Sequence, residues 1–195
     1  QSKNIIQVAA GSYHSLAIDD QGKVYTWGRN QFGQLGNGNT GTDSNVPVEV
    51  LNGNILFQSK KIIQVAAGSS HSIALDDQGK VYTWGLNMYG QLGDSSYTDR
   101  DVPVAVAHGS IGFQSKHIIW IAGGLYHTLA VASDGSVYSW GSNGSGQLGS
   151  VSTNSSYFPV AVDGTSMGPL PVEMSLFTAS VTGTNVRLRW ETATE

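Results

Sequence analysis

The sequence predicts an all-β protein assembled from one supersecondary unit used three times. Three observations carry this. Residues 1–36 and 58–93 differ only at positions 4, 13, 16, 18, 29, 31 and 32, and a more diverged third copy begins at Gln114. The chain holds 25 Gly in 195 residues, 39% hydrophobic and only 12% charged residues, a profile that excludes both disorder and a long charged helical bundle. No segment sustains a 3.6-residue apolar period over ten residues, so helices have no signal to stand on.

Each unit reads as four short strands. Ile5–Ala10 is largely apolar, as expected of a strand buried on both faces. His14–Ile18 follows the Gly11-Ser12-Tyr13 turn. Asp19-Asp20-Gln21-Gly22 is a hairpin connection, with Gly where a positive φ is required. Lys23–Trp27 is rich in β-branched and aromatic residues and forms the third strand. After a long loop, Val46–Leu51 contains Pro47. Proline cannot donate to a ladder, which places this fourth strand at a sheet edge. The units span 1–57, 58–113 and 114–163, offset by 57 and then 56 residues. Four antiparallel strands repeated at that period predict propeller blades.

The repeated residues also carry a family resemblance. Gly-Ser-Tyr-His-Ser-Leu-Ala at 11–17, Gly-Lys-Val-Tyr-Thr-Trp-Gly at 22–28 and Asn-Gln-Phe-Gly-Gln-Leu-Gly at 30–36 resemble the signature of regulator of chromosome condensation repeats. The resemblance recurs in all three units, over residues 1–163, and implies a β-propeller, usually of seven blades. His14, His71 and His127, Trp27, Trp84 and Trp140, and Gly36, Gly93 and Gly149 form its recurring positions. Gln1-Ser2-Lys3 matches Gln58-Ser59-Lys60 without a counterpart of Phe57, so the sequence is expected to be a fragment of a longer chain. Residues 164–171, with Pro169 and Pro171, read as a stiff linker. Residues 172–195 predict a short hairpin. The stretch Pro-Val-Glu-Met-Ser-Leu-Phe-Thr-Ala-Ser, from Pro171 into this hairpin, resembles the start of a fibronectin type III-like segment found near the C-terminus of many exported Bacteroidetes-type proteins, here truncated.

Composition narrows the function classes. A net charge of −4 and a pI near 5.6 lack the basic stripe of a nucleic-acid binder. Without Cys there is no disulfide framework, thiolate metal site or Cys nucleophile. No apolar run reaches the length of a membrane-spanning helix.

Several motifs imitate chemistry. Gly144-Ser145-Gly146-Gln147-Leu148-Gly149 and Gly36-Asn37-Gly38-Asn39-Thr40-Gly41 match the dinucleotide fingerprint, yet no helix follows either to receive a pyrophosphate. Gly164-Thr165-Ser166-Met167-Gly168 matches a nucleophile elbow but precedes the prolines of the linker. The three repeated histidines stand at equivalent positions of neighbouring units, too far apart to converge on one ion, and are expected to hydrogen-bond within or between units. The repeated tryptophans are expected to pack between blades. Asp19-Asp20, Asp76-Asp77 and Asp134 lack calcium-loop spacing and are expected to form turns. Asn143-Gly-Ser and Asn154-Ser-Ser are formal glycosylation sequons. Neither cofactor nor metal is expected, and the chain is expected not to be an enzyme.

Function should then lie where the units differ. The loops 29–45, 86–101 and 142–157 offer Arg29, Phe32, Met88, Tyr89, Tyr97, Arg100 and Tyr157 as candidate interaction residues, types enriched at protein interfaces. The expected function is a non-catalytic binding scaffold, part of an exported or cell-surface bacterial propeller with an unidentified protein or surface ligand as partner. Guanine-nucleotide exchange on a small GTPase is an alternative that the resemblance implies. An enzyme-inhibiting or polysaccharide-acting propeller is another. With three blades leaving two bare faces, the piece by itself is expected to self-associate.

Overall fold

The computed structural model describes residues 4–51, 57–107, 113–163, 174–182 and 185–192. The linker prolines, the Ser166 elbow motif, His108 and Gln1-Ser2-Lys3 lie outside these residues.

Twelve strands form three four-stranded antiparallel sheets, each in simple sequence order. The first blade comprises β1 (Ile5–Ala10), β2 (His14–Asp19), β3 (Val24–Gly28) and β4 (Ser44–Glu49). The second comprises β5 (Ile62–Ala67), β6 (His71–Asp76), β7 (Val81–Gly85) and β8 (Arg100–Ala105). The third comprises β9 (Ile118–Gly123), β10 (His127–Ala132), β11 (Val137–Gly141) and β12 (Ser156–Ala161). Residues 1–162 make one compact unit. A separate unit, 163–195, contains the hairpin β13 (Met174–Thr182) and β14 (Asn185–Thr192), paired antiparallel from Met174↔Thr192 to Thr182↔Asn185.

Local chemistry explains the blade. Gly22, Gly79 and Gly135 close the β2–β3, β6–β7 and β10–β11 hairpins with φ near +80°, a conformation that favours Gly. Asp19 completes the first of these turns. Its buried carboxylate accepts from the Gln21 and Lys23 amides through Oδ1 and from the Tyr25 hydroxyl through Oδ2. Asp76 repeats the arrangement with Gln78, Lys80 and Tyr82. Asp134 occupies a different turn position, accepting from the Ser136 amide and pairing with Lys116. Pro47, Pro103 and Pro159 sit on β4, β8 and β12, the edge strands, where the missing N–H costs no ladder bond.

The first strand of each blade departs from the expectation of burial on both faces. A bulge between Ile5 and Gln7 recurs between Ile62 and Gln64, with a matching irregularity in β9. The extra residue turns outward, leaving Ile6, Ile63 and Ile119 exposed. In β1, Val8 is also 67% exposed, whereas its counterparts Val65 and Ile121, each packed in a seam with the preceding blade, are 2% exposed; among the described residues no blade covers Val8.

The core is a pair of seams between blades. Leu16, Ile18, Val24 and Val50 meet Ile62, Val65, Tyr82 and Trp84 in one. Ile73, Leu75, Val81 and Val106 meet Ile118, Ile121, Tyr138 and Trp140 in the other. Phe57 and Phe113, in short 3-10 turns at 57–59 and 113–115, enter these seams edge-on to Tyr82 and Trp84, and to Tyr138 and Trp140. The middle blade, covered on both sides, has every residue of β6 and β7 buried.

Candidate functional site

Polar contacts lock the seams before any loop is considered. The Ser72 hydroxyl donates to the Gln34 carbonyl at 2.8 Å. Its oxygen is thereby left to accept from His14 Nε2–H, 3.0 Å away. His71, Thr128 and the Gln91 carbonyl repeat this at 3.0 and 2.9 Å across the next seam. Burial holds both imidazoles neutral, lowering His14 to about 4 and His71 to about 3. For His71, repulsion from His14 and His127 adds to the effect of burial. His127 is lowered by burial as well.

The tryptophans complete the same seams. Trp84 Nε1 donates to the Gln34 carbonyl at 2.9 Å. A Cβ on Gly36 would lie 2.8 Å from that nitrogen, and one on Gly93 would lie 2.7 Å from Trp140 Nε1. Each Trp therefore seats on the Gly of the preceding unit. Trp27 is half-buried, and Gly149 abuts Val162 instead.

Sequence reasoning missed two other recurring devices. The Gln7 side chain donates to the Val65 carbonyl and accepts from the Val65 amide, and Gln64 does the same to Ile121. The third unit has Trp120 at that position, 60% exposed. Asn30, Asn87 and Asn143, all fully buried, organise the long loops. Each accepts from the amide of the Leu in Gln-Leu-Gly and donates outward to loop carbonyls. Their recurrence at one repeat position was the available signal. Burial of Asn143, with its amide donating to the Ser152 carbonyl, also removes the first formal sequon from reach.

These devices set the long loops as a continuous face. Gly38 N donates to the Asp101 carbonyl and Ser95 N to the Tyr157 carbonyl, joining each loop to the next blade's edge strand. Tyr97 and Tyr157 meet edge-to-face at 5.1 Å, and Tyr157 continues onto Phe158 at 5.2 Å. Tyr89 is half-buried against Tyr126 at 5.1 Å. Met88 is exposed beside it. On the first blade Arg29 lies over the Tyr13 ring and bonds Gln31, while Phe32 is half-buried with its amide bound to Gln34 Oε1. Arg100 turns inward, its guanidinium bonding Asp94 Oδ2 at 2.8 and 2.7 Å. Tyr97 and Tyr157 are thus brought together, whereas Arg100 is engaged within its own loop.

Three repeated blades, inter-blade His–hydroxyl and Trp–Gly seats, and an organised loop face define a propeller-type repeat module. Residues 1–185 match the RCC1-like domain, and the chain belongs to that family. It is 39% identical over 150 residues to the human protein named probable E3 ubiquitin-protein ligase HERC4, covering 77% of this chain and 13% of that protein. To the Arabidopsis thaliana ultraviolet-B receptor UVR8 it is 41% identical over 145 residues, covering 74% and 31%. In fold it resembles Prp20p of Saccharomyces cerevisiae, with a TM-score of 0.70 at 23% identity over 89% of this chain and 41% of that one. The chain therefore spans well under half the length of these relatives.

One expectation is corrected by these relatives. The chain was expected not to be an enzyme, but a relative of this similarity is named as a ubiquitin ligase. The inference failed for a physical reason. Repeat positions report how a module packs, and they are silent about chemistry carried along the rest of a longer protein.

Proposed function

We propose that this chain is a protein-recognition module whose binding surface is the long-loop face of the second and third blades. The observation that carries the reading is the Tyr97–Tyr157 pair with exposed Met88 beside the Tyr89–Tyr126 contact. Rigid aromatic groups on loops held by buried asparagines lose little entropy on binding, and Tyr and Met are interface types. The similar yeast protein is described by its binding to Gsp1p and histones, which supports a protein partner in kind. We further propose that the parent protein is exported or surface-displayed in a bacterium. That part rests on the resemblance of residues 171–180 to the start of a fibronectin type III-like segment.

A photo-crosslinking residue at Tyr97 tests the recognition face, with the same residue at Asp20, on a hairpin tip, as the control site. A partner captured from Tyr97, absent from Asp20 and weakened at least tenfold by Tyr157→Ala supports the proposal. Equal capture from both positions overturns it. Fractionation of the source cells tests the second part, and retention of the full-length protein in the cytoplasm rejects it.

A further inference from the structure

The two inter-blade seams are alike in their buried layer and differ at the outer rim. Between the first and second blades the rim is closed, with a residual space of about 10 Å³ beside Lys23, Glu49 and Phe57. Lys23 Nζ there pairs with Glu49 Oε1 at 3.5 Å. At the equivalent rim between the second and third blades lies a cavity of about 360 Å³.

The register explains the difference. Glu49 stands opposite Tyr25 on β4, and Ala105 stands opposite Tyr82 on β8. Replacement of Glu by Ala removes both the bulk that would fill the rim and the carboxylate that would pair with Lys80, the counterpart of Lys23. Lys60, Lys80 and Lys116 all line the cavity, three of the chain's ten basic side chains in a protein of net charge −4. Lys116 is paired with Asp134. Lys60 and Lys80 have no carboxylate partner among the described residues. The floor is apolar, made by Val81, Val106, Phe113 and Ile118, all buried elements of the seam.

We propose that this cavity binds a small aromatic carboxylate, its ring on the Val81–Phe113–Ile118 floor and its carboxylate between Lys60 and Lys80. The volume falls in the range of small-molecule pockets, which are mostly apolar with a few placed polar groups. A carboxylate restores the charge that Glu49 supplies in the neighbouring seam, and partial burial makes the pairing stronger than at an open surface.

The probe is 2-naphthoate, titrated into the 195-residue chain by calorimetry and heteronuclear NMR, with the neutral 2-naphthamide as its isostere. The carboxylate should bind at least tenfold tighter than the amide and shift the amide resonances of Lys80, Val106 and Ile118. Ala105→Glu rebuilds the acid of the first blade at a register position that already accepts it, so the fold is retained. It should abolish naphthoate binding. Lys80→Gln should weaken binding about tenfold while leaving the amide unaffected. Equal binding of acid and amide, absence of binding at millimolar probe, or an Ala105→Glu variant that binds as well as the parent would each overturn the proposal. Displacement of naphthoate by equimolar inorganic phosphate would overturn it too, since the apolar floor would then contribute nothing.

Discussion

His14 and Ser72 meet across the first seam, imidazole Nε2 to hydroxyl Oγ at 3.0 Å, and the Ser72 hydroxyl in turn donates to the Gln34 carbonyl of the first blade. The chain thus leaves one blade, touches the next and returns within two hydrogen bonds. Because His71 and Thr128 repeat the relay, the seams share one polar clasp as well as an apolar layer.

Removing the hydroxyl should therefore cost more than an exposed hydrogen bond would. Ser72→Ala leaves a buried imidazole N–H without its acceptor and the Gln34 carbonyl with Trp84 alone. A loss of about 1–3 kcal/mol is expected. Urea unfolding of Ser72→Ala, His14→Ala and the double variant measures the coupling, which should be well above zero.

Acid should open the same clasps. His14 and His71 are held neutral, with folded values of about 4 and about 3, below the unfolded value near 6.5. Between those limits the unfolded chain binds more protons than the folded one, so stability falls as pH falls. Their contribution is complete above pH 6.5 and declines by about 1.4 kcal/mol per pH unit for each histidine below it. Unfolding free energies at pH 7.5, 6.0 and 5.0 should show that slope, and His14→Gln should flatten it.

Glycine at the tryptophan seat should be irreplaceable. Gly36 has φ +65°, and a Cβ there would press on Trp84 Nε1. Gly36→Ala should cost about 2 kcal/mol or more, from the left-handed backbone and the displaced indole. Tryptophan emission should shift to the red as Trp84 is loosened.

Gln64 should prove more costly to lose than its polar character suggests. Gln64→Ala removes two buried bonds to the Ile121 backbone and leaves that amide and carbonyl without them. About 1–3 kcal/mol is expected, measured by thermal unfolding.

The 195-residue chain by itself should associate through its uncovered blade faces. Val8 is 67% and Trp120 60% exposed, on the inner strands of the first and third blades. Light scattering across a concentration series should show a rising mass, and Trp120→Gln, the residue of the other two units, should reduce it.

Strand order, the hairpin glycines and the edge prolines were legible because each is a local property repeated at a fixed interval. The turn carboxylates Asp19 and Asp76 were legible for the same reason. The bulge that exposes Ile6, Ile63 and Ile119 was not, since an apolar run reads the same whether or not one residue slips from the ladder. The loop asparagines were visible as a repeat, yet their role needed the carbonyls that the folded loop turns inward.

What the sequence by itself determined is therefore the all-β fold of four-stranded blades and the residues that recur in every unit. Periodicity and backbone preference act within a few residues, and tandem copies make them unmistakable. Only the tertiary structure decided which units touch through which atoms. It placed His14 on Ser72, Trp84 on Gly36, Tyr97 on Tyr157, and an open lysine-rimmed cavity where Ala105 replaces an acid. Those pairs are separated by 48 to 60 residues or set by a neighbour's missing side chain, and no local rule of the chain encodes such proximity.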